Sequence, residues 1–177
     1  MQTPSLPHKI NLWQLAAENG RLDGVLALAA LPRLAVALSG ANGMVKVTLA
    51  AGIDSQGGRF LKGELCTEIE LICQRCLGPL RLPLKVTVSL GLVHNEREAD
   101  RLAKDYEPLL APDGGVAVAD LVEDELLLAL PQIPRHDDPR ECEANGYTPP
   151  GESPADAEHR QSFAVLASLL RDSKRSN

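Results

Sequence analysis

The constraint that most limits this fold is a period-two alternation of apolar residues on both sides of one short turn. Before it, Leu61, Leu65, Ile69 and Leu71 fall on alternate positions, and after it so do Leu80, Leu82, Leu84, Val86, Val88, Leu90 and Leu92. Side chains of a strand point alternately to its two faces, so each run buries one face. The segment between them, Leu71-Ile72-Cys73-Gln74-Arg75-Cys76-Leu77-Gly78-Pro79, holds a Gly-Pro turn and two of the four cysteines. Two antiparallel strands with a Cys-x-x-Cys at their corner follow. Leu84, Val86 and Val88 are expected to point inward together, and Thr87 outward.

The flanking chain extends this β unit. Asn11 is placed to cap a short helix through Leu12, Trp13, Leu15 and Ala16, with Gly20 just beyond its end. Arg21 to Ala30 reads as a first strand, broken by Pro32, and Leu34 to Leu38 fits either helix or strand. Met44 to Ile53 alternates as a second strand, and Asp54-Ser55-Gln56-Gly57-Gly58 is a turn by composition. Beyond the long pair the character changes. Asn95 to Lys104 is compatible with a surface helix. Asp120 to Leu130 carries an apolar helical face that Pro131 terminates. The acidic run Glu123-Asp124-Glu125 reads as a solvated helix start, since adjacent helical positions spread their groups around the cylinder instead of converging them. A polar segment near residues 148–160 is expected to be mobile, and Ser162 is placed to cap a last amphipathic helix on Phe163, Val165, Leu166, Leu169 and Leu170. The fold class expected is α+β: a central antiparallel sheet or partly open barrel over residues 1–94, and a helical, loop-rich part over residues 95–177.

Charge and composition narrow the function. With 18 basic and 24 acidic residues the formal net charge is -6. That argues against broad, sequence-independent nucleic-acid binding and leaves room for a local basic patch. Arg75, Arg81 and Lys85 at and after the corner, with Arg135 in the later loop, are the candidate contacts to RNA or a partner. Aromatic residues are 3% of the chain, so base stacking is nearly unavailable. There is no secretory pattern at the N-terminus, and no apolar run approaches the roughly 20 residues of a membrane helix. A cytoplasmic location is expected, where thiols stay reduced unless they do chemistry or bind metal.

The corner cysteines admit three readings. A tight Cys-x-x-Cys turn brings two thiolates onto one tetrahedral ion, and His136 with Cys142 downstream would complete a Cys₃His zinc set with Cys73 and Cys76. A redox pair is the second reading. It lacks the helix N-terminus that depresses such thiols, because a strand follows Cys76. Ordinary small side chains are the third. Cys66, within a strand, reads as a plain core thiol. No nucleophile elbow, Walker loop or dinucleotide fingerprint is present.

Three stretches in order carry a resemblance. They are Cys73-Gln74-Arg75-Cys76; then Tyr106-Glu107-Pro108 with Val122-Glu123-Asp124-Glu125-Leu126-Leu127-Leu128-Ala129-Leu130-Pro131, Pro134-Arg135-His136-Asp137 and Cys142; and Phe163-Ala164-Val165-Leu166-Ala167-Ser168-Leu169. Together they resemble the YceD family, the large ribosomal RNA subunit accumulation proteins. The resemblance implies a role in synthesis, processing or stability of 23S rRNA, with no catalytic activity attached. The partners it implies are the large-subunit precursor and its rRNA, and the acidic net charge adds a basic ribosomal protein as a natural complement. Some branches of that family carry a second cysteine-rich cluster after the Leu-Pro helix end, and His136 and Cys142 occupy matching places here. The alternative is a metal- or thiol-dependent enzyme acting on RNA or protein through the Cys-x-x-Cys corner.

Overall fold

The structure is a computed structural model, and it describes residues 5–148 apart from 112 and 114. The expected mobile segment near 148–160 lies outside them but for residue 148, and the helix expected after Ser162 lies wholly outside. The elements run β1 (Lys9–Ile10), α1 (Leu12–Ala17), β2 (Arg21–Ala27), α2 (Pro32–Ala37), β3 (Met44–Ile53), β4 (Arg59–Ile72), β5 (Pro79–Val93), α3 (Glu96–Ala99), β6 (Glu107–Leu110), β7 (Val116–Ala117), α4 (Val118–Leu128) and α5 (Pro139–Ala144). The chain divides into two units at the Asp137–Asp138 bond.

In the first unit the strands form a five-stranded sheet in the order β2-β3-β4-β5-β6, and β1 pairs with β7. Neighbours are antiparallel except β5 and β6, which are parallel. The expected α+β class with a central antiparallel sheet is the one observed. β4 and β5 are the long pair anticipated from the alternation, in register from Phe60↔Gly91 to Ile72↔Pro79.

One face of this sheet is the core. Val45, Val47, Leu49 and Ala51 of β3, Leu61, Leu65, Ile69 and Leu71 of β4, and Val88, Leu90 and Leu92 of β5 are all buried. Leu12 and Ala16 of α1 and Leu121, Val122 and Leu126 of α4 supply buried residues from the helices. Val88 is 1% exposed, whereas Thr87 is exposed, so the inferred register holds. Leu84 and Val86 share the phase of Val88 but are only half-buried. Gly63 of β4 sits at φ +156°, and a Cβ there would lie 2.0 Å from the Thr48 carbonyl oxygen. Only glycine lets β3 approach that closely.

Several local readings change. Arg21–Ala27 is strand, but Leu28–Ala30 is a 3₁₀ turn. Leu34 to Leu38, ambiguous in sequence, lies largely in α2, whose Pro32 occupies the first turn, where a missing N–H costs nothing. Asn11 caps α1 by accepting from the Gln14 N–H, but the left-handed residue after that helix is Asn19 at φ +49°, not Gly20. A Cβ at Gly20 would lie 2.4 Å from Leu15 Cδ1, so that side chain would have to shift to admit one. The surface helix expected over Asn95–Lys104 shrinks to Glu96–Ala99.

The largest correction concerns Glu123, which is not solvated. It is 2% exposed. α2 has no side-chain cap of its own, and Glu123 supplies one across space. Its Oε1 accepts from the backbone N–H groups of Arg33 at 2.7 Å and Leu34 at 3.0 Å. Its Oε2 accepts from Arg33 Nε at 2.7 Å. Burial pushes this carboxyl up, but the Leu34 N–H and the Arg33 side chain and N–H outweigh it and hold it below the usual carboxylate range. Nothing in the run of three acids distinguishes Glu123, because its partner lies ninety residues upstream.

In the second unit, Asp138 accepts from the Arg140 N–H and Pro139 takes the first position of α5. That Asp-Pro start is a sequence signal for a helix in a stretch otherwise read as loop.

Two predictions follow from the core and from the cap. Val88→Asp should destabilise by about 2–5 kcal/mol, as core disruption does, whereas Thr87→Asp should fall within about 0.5 kcal/mol; urea unfolding measures both. Glu123→Ala should cost about 1–3 kcal/mol at pH 7, because two N–H groups lose their acceptor. A carboxyl lowered by folding stabilises above its unfolded pKa and loses that contribution as pH falls through its folded value. The gap between wild type and Glu123→Ala should therefore narrow as pH drops below about 4, in the same unfolding assay.

Candidate metal centre

The β4–β5 ladder ends at the Ile72↔Pro79 pair, leaving a six-residue connection, 73–78, at the hairpin tip. Its shape is set by backbone bonds. Cys73 N donates to Gly78 O and Leu77 N to Cys73 O, both at 2.9 Å, and Leu77 adopts φ +58°. This curl turns the chain back at Cys76 and lets the Arg75 N–H reach Cys73 Sγ at 3.4 Å. An amide aimed at sulfur favours the thiolate, the form that ligates metal.

After α4 the chain returns to this tip, because Pro131 and Pro134 prevent helix from continuing. Residues 131–137 form a strap tied to the hairpin. Gln74 N donates to Pro134 O at 2.8 Å, and Arg75 Nη2 donates to His136 O at 2.9 Å. The His136 ring is 5% exposed. Its Nε2 lies 2.9 Å from Pro79 O and its Nδ1 lies 3.6 Å from Cys76 Sγ. A carbonyl only accepts, so Nε2 carries the proton and the Nδ1 lone pair faces the cysteines. Metal-binding histidines are held in this way, by a bond from the other ring nitrogen.

Within the first unit, the ligand atoms of Cys73, Cys76 and His136 all lie within 4.8 Å of one another. A tetrahedral zinc with bonds of about 2.0–2.3 Å spaces its ligands by about 4 Å, so the set needs little adjustment to close on one ion. Cys73 and Cys142 are fully buried and Cys76 half-buried. Burial alone would raise the Cys73 thiol. The backbone N–H groups of Cys76, His136 and Arg75, then the Cys76 thiol, outweigh it and bring Cys73 down to about 5. The cluster could hold a metal ion such as zinc. Cys66 stands apart from it, half-buried within β4.

The four candidate contact cations are engaged in different ways. Arg75 is half-buried and spent partly on His136 O. Arg81 pairs with Glu70 at 3.2 Å and Lys85 with Glu64 at 2.9 Å, each across the β4–β5 ladder. Arg135 is exposed, and with Arg75, Leu80, Leu82 and Ile133 it lines a groove of about 360 Å³ beside the strap. Sequence reasoning named the candidate donors but not the bonds that aim them. The Pro79 carbonyl and the Arg75 guanidinium carry no mark in the sequence.

Fold and site thus define a small α+β protein whose sheet hairpin ends in a Cys73, Cys76 and His136 cluster that could hold a metal ion. The model of the YceD family, described as large ribosomal RNA subunit accumulation protein YceD, matches residues 61–170. A relative from Haemophilus influenzae, itself called large ribosomal RNA subunit accumulation protein YceD, is 35% identical over 154 residues, covering 84% of this chain and 88% of its own. The chain belongs to the YceD family. No solved structure matches it. Among the described residues, no helix is long and apolar enough to cross a membrane.

If Cys142 joins Cys73, Cys76 and His136 on one zinc ion, as the sequence pattern leads one to expect, the full chain should bind one ion, and chelation should release α5 first. Hydrogen exchange after chelation should accelerate in residues 139–144 while β3, β4 and β5 stay protected, because the sheet has its own core. Simultaneous opening of the sheet would contradict this.

Proposed function

We propose that this chain is a non-enzymatic factor in large ribosomal subunit biogenesis, acting in the cytoplasm on the synthesis, processing or stability of 23S rRNA. The observation that carries the reading is family membership, with a relative of that name aligned over most of both chains. The site chemistry supports the non-enzymatic part. A catalytic zinc keeps a coordination position open for water or substrate, whereas four protein donors close a tetrahedral ion. If Cys142 completes the set with Cys73, Cys76 and His136, as the sequence pattern leads one to expect, zinc here would brace the fold. A metal-dependent enzyme at this corner would need a vacant position, which this donor set does not leave.

The charge distribution suits an adapter. At net charge -6, the chain complements a basic ribosomal protein, and its contact with the rRNA of the precursor is confined to a few cations. Arg135 at the groove, Arg81 and Lys85 along β5, and Arg75 at the hairpin tip are those cations.

Depleting the protein from cells should lower 23S rRNA relative to 16S and shift ribosome gradients away from complete large subunits. Unchanged 23S levels would overturn the reading. In vitro, RNA binding by the isolated chain should be weak and fall about tenfold or more between 50 and 200 mM salt, as a few phosphate contacts require. Tight, salt-insensitive binding would contradict the adapter role.

A further inference from the structure

Arg75 occupies one of the two spacer positions between the cysteines, where a side chain has no evident part in ligation. In the structure it touches both halves of the site. Its backbone N–H is directed at Cys73 Sγ at 3.4 Å, and its guanidinium donates to the carbonyl of His136 at 2.9 Å. Two further bonds join the same partners: Gln74 N to Pro134 O at 2.8 Å and His136 Nε2 to Pro79 O at 2.9 Å. The hairpin tip and the strap are therefore linked by three bonds, none of which needs a metal.

We infer that Arg75 is the positioning residue of the metal centre, holding the His136 strap against the Cys73–Cys76 turn so that three donors are assembled before the ion arrives. This rests on the metal reading above and extends it to a residue that ligates nothing. The physical case is one of reach and shape. The strap follows α4 as a segment with neither helix nor strand, and no regular structure of its own fixes where His136 lies. A guanidinium is a planar, permanently charged donor on a long stem, able to bridge from the tip to a carbonyl on the strap. A lysine ammonium is a more strongly hydrated point charge on a flexible stem and would hold the same carbonyl less firmly. Without the bridge, the ordering of the strap must be paid out of the metal-binding energy, and affinity falls accordingly.

The test uses the full chain and zinc alone as the probe, with affinity read by competition against a chromophoric chelator. Arg75→Ala and Arg75→Lys should each weaken zinc by about 10–100-fold, as loss of a group that orients a ligand does. Arg21→Ala removes a surface charge that pairs with Asp23 and should leave zinc affinity unchanged. A second readout needs no metal. In zinc-free wild type the Gln74 amide should exchange slowly, and in zinc-free Arg75→Ala it should exchange fast while the β3 and β4 amides stay protected. The amide measurement on wild type stands even where a variant folds poorly, and a fast Gln74 amide there would show that no preassembly exists. If wild type binds no zinc, the metal reading fails and this inference with it. If wild type binds zinc and both Arg75 variants bind it equally well, the inference alone fails, and Arg75 is left as a surface cation of the hairpin.

Discussion

The antiparallel pairing of β4 with β5 is the constraint on which the rest of the first unit depends. It runs unbroken from Phe60↔Gly91 to Ile72↔Pro79. A slip of one residue would turn Leu61, Leu65, Ile69, Val88 and Leu90 out of the core and bring Glu64, Glu70, Lys85 and Thr87 in. Burial of those apolar side chains, each contributing about 1.5–3 kcal/mol, fixes the register far more firmly than the turn does. The same register sets the length of the connection at the tip. It therefore decides that Cys73 leaves the ladder buried and that Cys76 lies on the returning limb of the curl.

The two buried polar side chains among the described residues are Glu123 and His136. Each serves backbone groups that the secondary structure leaves unpaired. Glu123 accepts the N–H groups that open α2, and His136 donates to the carbonyl of Pro79 where the ladder ends. Buried polar groups are costly unless matched, so these contacts fix geometry as well as energy. One ties α4 to α2, and the other aims an imidazole lone pair at two cysteines. The centre is thus held by the fold around it as well as by its own ligands.

This arrangement is compatible with the proposed role of a chain that is poor in aromatics and acidic overall. A sheet with a solvated face of paired charges, Glu64 with Lys85 and Glu70 with Arg81, offers little for stacking on bases. The hairpin tip and strap present a shaped corner with a groove lined by leucines, prolines and arginines. Such a corner is ill suited to independent capture of RNA, which needs a continuous basic track.

Period-two alternation made the β3, β4 and β5 strands and their buried face legible, because it reflects one-sided burial directly. The Cys-x-x-Cys, His136 and Cys142 stood out by chemistry, and the ordered set of short stretches pointed to the family. Half-burial of Leu84 and Val86 was beyond the pattern, since alternation gives the face but not what covers it. The role of Glu123 was hidden because a carboxylate on a helix start looks the same whether it meets water or the N-terminus of another helix. Likewise the sequence held no sign that Arg75 would bond to His136 O or that Pro79 would select the His136 tautomer. Residue type and spacing determine which groups can ligate or cap; which of them meet depends on how distant segments pack, and only the tertiary structure decides that.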